Sequence, residues 1–169
     1  IQLERAYYAI KKINPDIFIV LGDRYDMYPF ALACHITGIP LAHIHGGEVT
    51  NGAIDDALRH SVSKLADIHF VANEEFKLRL IQMGERKKYI YNVGSLGVDA
   101  IKKTKFNKRN YLINIDKKLK DSKYFMISLH PETINGNNHR LVKSVLNSIV
   151  KYKKYVQVFS YPNSDTGSK

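Results

Sequence analysis

The sequence predicts an α/β protein built on a Rossmann-like, doubly wound parallel sheet. Short apolar runs alternate with segments whose apolar residues recur every three or four positions, and the connections between them are short. This alternation is typical of parallel strands joined by helices. Polar clusters follow the predicted strands, and right-handed crossovers bring the carboxyl ends of those strands to one edge. We therefore expect a ligand site at that edge.

Four strands and four helices are predicted in the first hundred residues. The strands are continuous apolar runs, as suits a parallel sheet covered on both faces, at 17–21, 39–44, 68–72 and 89–93. The helices show apolar residues at helical spacing and cover 3–13, 30–36, 55–66 and 74–83. Asp55 and Asp56 open the third of these helices, where the helix dipole favours negative charge.

The pattern weakens and becomes rich in lysine from Asp99 to Lys123, where we expect a linker with some helix possible. We divide the chain into the later part of a first Rossmann-like domain (1–100), a basic linker (101–122) and the truncated start of a second Rossmann-like domain (123–169). This second part contains predicted strands at 124–129 and 155–159, with a helix at 141–150 between them. Because the chain begins in a helix without methionine and stops after a strand, we expect an internal piece of a longer protein.

Composition narrows the class of protein. Hydrophobic residues make up 44% and charged residues 25%, which is ordinary for a globular domain. The sequence has no secretory signal and no apolar run of the roughly 18 residues that a membrane span requires. Cys34 is the only cysteine, so we expect a buried structural thiol and a cytoplasmic protein.

The formal net charge of +10 raises the question of a nucleic-acid partner. The excess lysines are mixed with Asn, Ile and Tyr, and they form no platform of interleaved arginines and aromatic residues. We interpret them as a solvated surface. The sequence thus predicts neither a nucleic-acid site nor a membrane partner.

The stretch 43–60 combines imidazoles, carboxylates and glycines more densely than a packed core requires. His43 and His45 alternate on a strand and so point to opposite faces, which makes one of them a structural histidine unless the chain bends. Two pairs lie four residues apart on a helical face, namely Asp55 with Arg59 and Asp56 with His60. These pairs are either surface ion pairs or, for His60, part of an acid–base relay.

Asp23 follows a predicted strand within a Gly-Asp-Arg turn. In one interpretation it is a turn residue that pairs with Arg24 or caps a helix. In the other it is a carboxylate held at the sheet edge, where it acts as a base or binds a sugar hydroxyl.

A metal site is the main chemical alternative. Six residues are of the types that bind metals, namely Asp23, His43, His45, Asp55, His60 and His130. A metallophosphoesterase, however, needs an Asp-x-His near its start, whereas this chain has that pattern only at 67–69. It also lacks zinc-type spacings, a Walker loop, a Gly-x-Gly-x-x-Gly turn and a Gly-x-Ser-x-Gly elbow. We therefore predict no metal and no cofactor.

Several motifs, in order, resemble one family. They include LGDRYD at 21–26, HIHGGEVT at 43–50, GAIDD at 52–56 followed by Arg59 and His60, VGS at 93–95, SLHPET at 128–133 and YPNSDTGS at 161–168. In these motifs the chain resembles the hydrolysing UDP-N-acetylglucosamine 2-epimerases. Those enzymes make N-acetylmannosamine, or a related sugar, for sialic-acid-type biosynthesis.

The resemblance implies two Rossmann-like domains in the GT-B arrangement, with a UDP-sugar bound in the cleft. It further implies removal of the C2 proton, loss of UDP to give a glycal-like intermediate, and addition of water. That route requires neither a metal nor a nicotinamide. We expect a homo-oligomer.

By the same resemblance, Asp23 and Asp55 are the catalytic carboxylates and His130 is the cleft histidine. Some relatives have Glu where this chain has His45, and Glu48 is the neighbouring alternative for acid–base chemistry. We expect a further group to bind the substrate, namely Arg24, Gly46, Gly47, Asp56, Arg59, His60, Ser95 and Glu132.

Two other functions fit the same fold class. One is a UDP-sugar glycosyltransferase, and the other is a nucleotide-sugar-binding or regulatory domain without turnover. The sequence also leaves the sugar open between N-acetylglucosamine and its diacetamido-trideoxy relative.

Overall fold

Residues 1–105, 109–130 and 138–161 are described by the computed structural model. The chain divides into two units, Ile1–Lys103 and Thr104–Lys169. Unit 1 carries the dense stretch of polar residues that follows the second strand.

Unit 1 is a four-stranded parallel sheet flanked by helices. Its strands are β1 (Phe18–Leu21), β2 (Leu41–Ile44), β3 (Ile68–Val71) and β4 (Ile90–Asn92). Its helices are α1 (Gln2–Ile13), α2 (Tyr28–Thr37), α3 (Asp55–Leu65), α4 (Glu74–Gln82) and α5 (Leu96–Lys103). The strands lie in the order β1-β2-β3-β4. Every predicted strand and helix of this region is present, which confirms the Rossmann-like α/β prediction.

The core lies between the sheet and helices α1 to α4. Because each crossover moves to the next strand in the same direction, right-handed connections place their helices on one face. Val20 points to that face and is 4% exposed, whereas its neighbours Ile19 and Leu21 are 58% and 56% exposed. Cys34 is fully buried in this core, as the sequence predicted, and burial raises the pKa of its thiol.

The segment predicted as a basic linker, with some helix possible, begins inside a helix. Helix α5 extends to Lys103, and short 3₁₀ helices follow at Arg109–Asn114 and Lys117–Leu119. Asp99 in the first turn of α5 and lysines in its last turn complement the helix dipole. The lysines that suggested a linker therefore also suit the end of a helix.

Unit 2 contains β5 (Tyr124–Ile127), α6 (Asn138–Ile149), a 3₁₀ helix (Val150–Tyr152) and β6 (Val156–Phe159). Strands β5 and β6 pair in parallel, as expected for a β-α-β unit. Within the described parts of both units, every helix is too short or too polar to cross a bilayer.

Candidate active site

Polar side chains of unit 1 gather where its parallel strands end. Asp23 follows β1, the loop 45–54 joins β2 to α3, and Ser95 follows β4. Because β1 to β4 are parallel and neighbouring, these positions share one edge of the sheet. This is the edge at which the sequence predicted a ligand site.

The carboxylate of Asp23 is paired with the guanidinium of Arg59 at this edge. Arg59 lies on α3 and is 6% exposed, and its Nη2 donates a hydrogen bond to Oδ2 of Asp23. Both Nη atoms also lie 3.0 Å from Oγ1 of Thr50. Removing an unpaired guanidinium from water is costly, so these partners stabilise the buried charge. The pairing holds the Asp23 carboxylate at the end of β1.

Arg24, the other proposed partner of Asp23, contacts a different carboxylate. Its Nη2 lies 3.0 Å from Oδ2 of Asp26, and both side chains are largely exposed. The hydrogen bond from Arg24 holds the pKa of Asp26 below its usual value. The expectation that Arg24 binds substrate remains a prediction.

Asp56 ties the loop after β2 to the start of α3. Its Oδ1 accepts a hydrogen bond from the backbone N–H of Thr50 at 2.8 Å and lies 3.7 Å from Nη1 of Arg59. Its Oδ2 lies 3.7 Å from Nε2 of His60, so the predicted pairing of these two residues on one helical face is confirmed. The Nδ1 atom of His60 is buried and has no hydrogen-bond partner among the described residues.

His45 and Glu48 form a close pair. His45 adopts a φ of 65°, in the left-handed region, and so the chain turns directly after β2. This turn is the bend that the alternation of His43 and His45 required. Nδ1 of His45 lies 2.6 Å from Oε1 of Glu48. A carboxylate only accepts, so Nδ1 carries the proton, and Nε2 of the neutral ring is the proton-accepting nitrogen.

The two glycines of this loop are required by close packing. A Cβ on Gly46 would lie 2.9 Å from Oγ of Ser63. A Cβ on Gly47, whose φ is 78°, would lie 2.5 Å from the carbonyl oxygen of Phe76. The Gly47 carbonyl in turn accepts a hydrogen bond from Nη1 of Arg79 at 2.6 Å. Both glycines thus let the loop lie against α3 and α4, and a role in substrate binding remains a prediction.

Asp55 and Ser95 lie where helices begin. Asp55 is the first residue of α3 and is half-buried. The carbonyl of Ser95 accepts from the backbone N–H of Asp99 at 3.1 Å as α5 begins. The functional roles of both residues stay predictions.

Two of the predicted site residues belong to unit 2. His130 follows β5 and is exposed, and its Nε2 lies 3.2 Å from Oγ of Ser128. Ser160, which follows β6, donates to the same Ser128 oxygen at 2.8 Å. Glu132 lies outside the described residues.

Sequence reasoning missed the parts played by Thr50 and Arg79. Thr50 contacts the Arg59 guanidinium through its side chain and Asp56 through its backbone. The only local signal was its position before the Asp55–Asp56 helix start, which does not identify a long-range partner. The contact of Arg79 with Gly47 spans 32 positions and likewise has no local pattern.

The site contains the imidazole of His45, which Glu48 orients. It also contains the carboxylate of Asp23, which is bound by the buried Arg59. Such groups suit proton transfer at a sugar carbon. Across the residues that the structure describes, no three His, Cys, Asp or Glu side chains come together in a group that could bind a metal ion.

Two curated relatives are similar in sequence to this chain over most of its length. A GDP/UDP-N,N'-diacetylbacillosamine 2-epimerase (hydrolyzing) of Campylobacter jejuni is 40% identical over 93% of this chain and 41% of its own length. The polysialic acid biosynthesis protein P7 of Escherichia coli is 37% identical over 90% of this chain and 39% of its own length. The chain therefore spans about two fifths of the length of these relatives.

Solved structures show the same fold. A UDP-GlcNAc 2-epimerase from Neisseria meningitidis bound to UDP-GlcNAc has a TM-score of 0.83 and 21% identity, over 99% of this chain and 48% of that one. The Methanocaldococcus jannaschii enzyme in complex with UDP-GlcNAc and UDP has a TM-score of 0.78 and 21% identity, over 96% and 46% of the two chains. Residues 2–169 match the profile described as UDP-N-acetylglucosamine 2-epimerase. This match over nearly the whole chain, together with the 40% identity, shows that the chain belongs to the UDP-N-acetylglucosamine 2-epimerase family.

Proposed function

We propose that the full protein is a hydrolysing 2-epimerase that converts a UDP-2-acetamido sugar into UDP and the free sugar of inverted configuration at C2. The observation that carries the proposal is the contact between His45 and Glu48, at the sheet edge that also holds Asp23 on Arg59. Because the chain spans about two fifths of its curated relatives, the proposal concerns the full protein rather than these residues alone.

The reaction requires that a proton leaves C2 and another is added there. At C1, the bond to UDP breaks and a bond to a hydroxyl forms. A base removes the C2 proton, the C1–O bond breaks, and its electron pair leaves with UDP to give a glycal-like intermediate. Water then adds across the C1–C2 double bond, so that hydroxyl bonds to C1 and a proton bonds to C2. At least two titratable groups in different environments suit this sequence of steps.

Each candidate group has an environment that fits one of these tasks. In the neutral His45 ring, Nε2 accepts a proton while Glu48 holds Nδ1, so the pair is suited to acid–base work. The Asp23 side chain is held in place by Arg59 and is suited to stabilise positive charge or accept a proton. Asp55 opens α3, where the helix dipole favours its ionised form.

The sugar is proposed from the chemistry that the relatives' names share. The relatives from Campylobacter jejuni and Legionella pneumophila are named for UDP-N,N'-diacetylbacillosamine, at 40% and 37% identity. A relative from Neisseria meningitidis, at 42% identity over 53% of this chain, is named for UDP-N-acetylglucosamine. All of these sugars carry a 2-acetamido group, and we propose that group as the common element of the substrate.

Incubation of the full protein in D₂O, with each UDP-sugar and no acceptor, tests the proposal. We expect free UDP and a 2-epimeric sugar that carries one deuterium at C2, detected by mass spectrometry and proton NMR. A glycosyltransferase would leave C2 unlabelled and would need an acceptor. A binding domain would retain the nucleotide sugar unchanged. Either result would contradict the proposal.

The same assay addresses the cofactor. We propose that EDTA leaves turnover intact, because the candidate groups can move the protons themselves. Complete loss with EDTA, restored by one divalent ion, would favour a metal-dependent enzyme.

We further propose a cytoplasmic homo-oligomer without a nucleic-acid partner. Light scattering would check the oligomeric state, and binding assays at physiological salt would check for a nucleic-acid partner.

A further inference from the structure

His43 makes two hydrogen bonds inside unit 1. It lies on β2 and is fully buried. Its Nε2 lies 2.8 Å from the carbonyl oxygen of Gly22, and its Nδ1 lies 3.0 Å from Oγ of Ser63 on α3. Both ring nitrogens are therefore used within the protein.

The partners of His43 determine which nitrogen carries the proton. Burial lowers its pKa from 6.5 to about 4, so the ring is neutral near pH 7. A carbonyl oxygen only accepts, so Nε2 is the protonated nitrogen and donates to Gly22. Nδ1 then accepts from the hydroxyl of Ser63. The Gly22 carbonyl and the Ser63 hydroxyl together orient the ring and select this tautomer.

The carbonyl that His43 binds belongs to the peptide plane shared by Gly22 and Asp23. Gly22 has a φ of 76°, and its own N–H donates to the carbonyl of Ile44 at 2.9 Å. Strand β2 therefore holds both backbone polar groups of Gly22. The orientation of that peptide plane determines the direction in which the Asp23 side chain leaves the backbone.

Two residues of helix α3 hold the turn that contains Asp23, one directly and one through His43. Arg59 and Ser63 are four residues apart and share one face of α3. Arg59 binds the Asp23 carboxylate directly, and Ser63 acts through His43 on the peptide before Asp23. The backbone and the carboxylate of this residue are thus both held from the same helix face.

We infer that His43 is a positioning residue for Asp23, whose carboxylate it aims by holding the Gly22 carbonyl through Nε2. The inference rests on the proposed function only for its effect on turnover, since the geometric claim concerns Asp23 alone. Small errors in the placement of a catalytic group raise the barrier of the reaction, whereas substrate affinity depends on many other contacts. A loss of kcat with little change in KM is therefore the expected sign.

Two substitutions at this position separate the donor from the bulk of the ring. His43→Gln places an amide donor about where Nε2 lies, whereas His43→Leu keeps apolar volume and removes the donor. In the full protein we expect kcat to fall roughly 10- to 100-fold in His43→Leu, with KM changed less than about threefold. In His43→Gln we expect kcat within about threefold of wild type, because the Gly22 bond is rebuilt.

A neighbouring histidine supplies the matched control. His69 pairs with His43 in the register of the sheet, is equally buried, and its Nε2 lies 3.4 Å from Glu85. His69→Leu should lower the melting temperature as His43→Leu does, but leave kcat within about threefold. Should His43→Leu fail to fold, His43→Asn replaces it, since its shorter side chain does not reach the Gly22 carbonyl.

Crystal structures of the His43 variants decide the geometric claim without any turnover. We expect Asp23 to remain on Arg59 in His43→Gln and to leave it in His43→Leu or His43→Asn. If the wild-type protein releases no UDP, the proposed function fails while this claim is still judged. The inference is wrong if Asp23 keeps its position without the donor, or if folded His43→Gln and His43→Leu lose kcat equally.

Discussion

Nδ1 of His45 lies 2.6 Å from Oε1 of Glu48, so the two residues that the sequence offered as alternatives for acid–base chemistry form one pair. The left-handed turn at His45 makes the contact possible, because it redirects the chain directly after β2. A pair that works as a unit should respond to substitution as a unit.

The first prediction concerns that pair. We expect His45→Ala and Glu48→Gln each to lower kcat by roughly 10²-fold, and the double variant to be little worse than either. Steady-state rates of UDP release measure this. His35→Ala, at an exposed histidine of α2, is the control and should retain full activity. Multiplicative losses in the double variant would show that the residues act independently.

The second prediction concerns the carboxylates. Asp23→Asn and Asp55→Asn should each lower kcat by roughly 10²-fold or more, because charge is lost while size is kept. Asp56→Asn should be milder, since its amide oxygen can still accept from the backbone of Thr50. Asp16→Asn, at an exposed aspartate before β1, is the control.

Melting temperatures must accompany these rates. Asp23→Asn leaves the buried guanidinium of Arg59 without its carboxylate, and so it should lower stability as well as kcat. Near wild-type kcat in well-folded Asp23 and Asp55 variants would remove both residues from the proposed site.

The third prediction concerns unit 2. His130→Ala should lower kcat by roughly 10²-fold with UDP-sugar affinity changed far less, as expected for a group that acts on the transition state. His139→Ala, at an exposed histidine of α6, is the matched control. Equal effects of the two variants would mean that His130 has no special role.

The fourth prediction concerns Gly46. A Cβ there would lie 2.9 Å from Oγ of Ser63 and 3.0 Å from Nδ1 of His43, so Gly46→Ala should destabilise the protein by roughly 1–3 kcal/mol. Gly97→Ala on α5 meets its nearest atom at 3.7 Å and should be neutral or stabilising by up to about 1 kcal/mol. Thermal unfolding compares the two, and equal melting temperatures would contradict the packing argument.

The fifth prediction concerns acid stability. Burial lowers the pKa of His43 from 6.5 to about 4, so the unfolded chain binds the proton at higher pH than the folded chain. The stability from His43 is therefore fully present above pH 6.5 and is lost as the pH falls towards 4, by roughly 3 kcal/mol. Burial also lowers the pKa of His69 and acts in the same direction.

Circular dichroism during acid titration measures this effect. Between pH 7.5 and pH 4, His43→Gln should lose less of its stability than the wild-type protein does, because the buried imidazole is gone. An unchanged dependence on pH between 6.5 and 4 would show that His43 does not control acid unfolding.

Local patterns were sufficient for the elements of unit 1 as far as β4. The strand Leu41–Ile44 lies inside the predicted run 39–44, and the helix Asp55–Leu65 differs from its prediction by one residue. Strand and helix periodicity depends on near neighbours in sequence, so it can be read from the chain. For α5 the sequence left open only some helix within a linker, because its lysines suit both a linker and a helix end.

The sequence by itself determined the α/β fold, the family and the sheet edge where Asp23, His45 and Asp55 lie. Only the tertiary structure decided the partners: Asp23 with Arg59, Glu48 with His45, and His43 with the Gly22 carbonyl. The Asp23–Arg59 contact spans 36 positions and depends on how α3 lies against the sheet. No local spacing encodes such a contact, since long-range pairing follows from packing and from the need to compensate a buried charge.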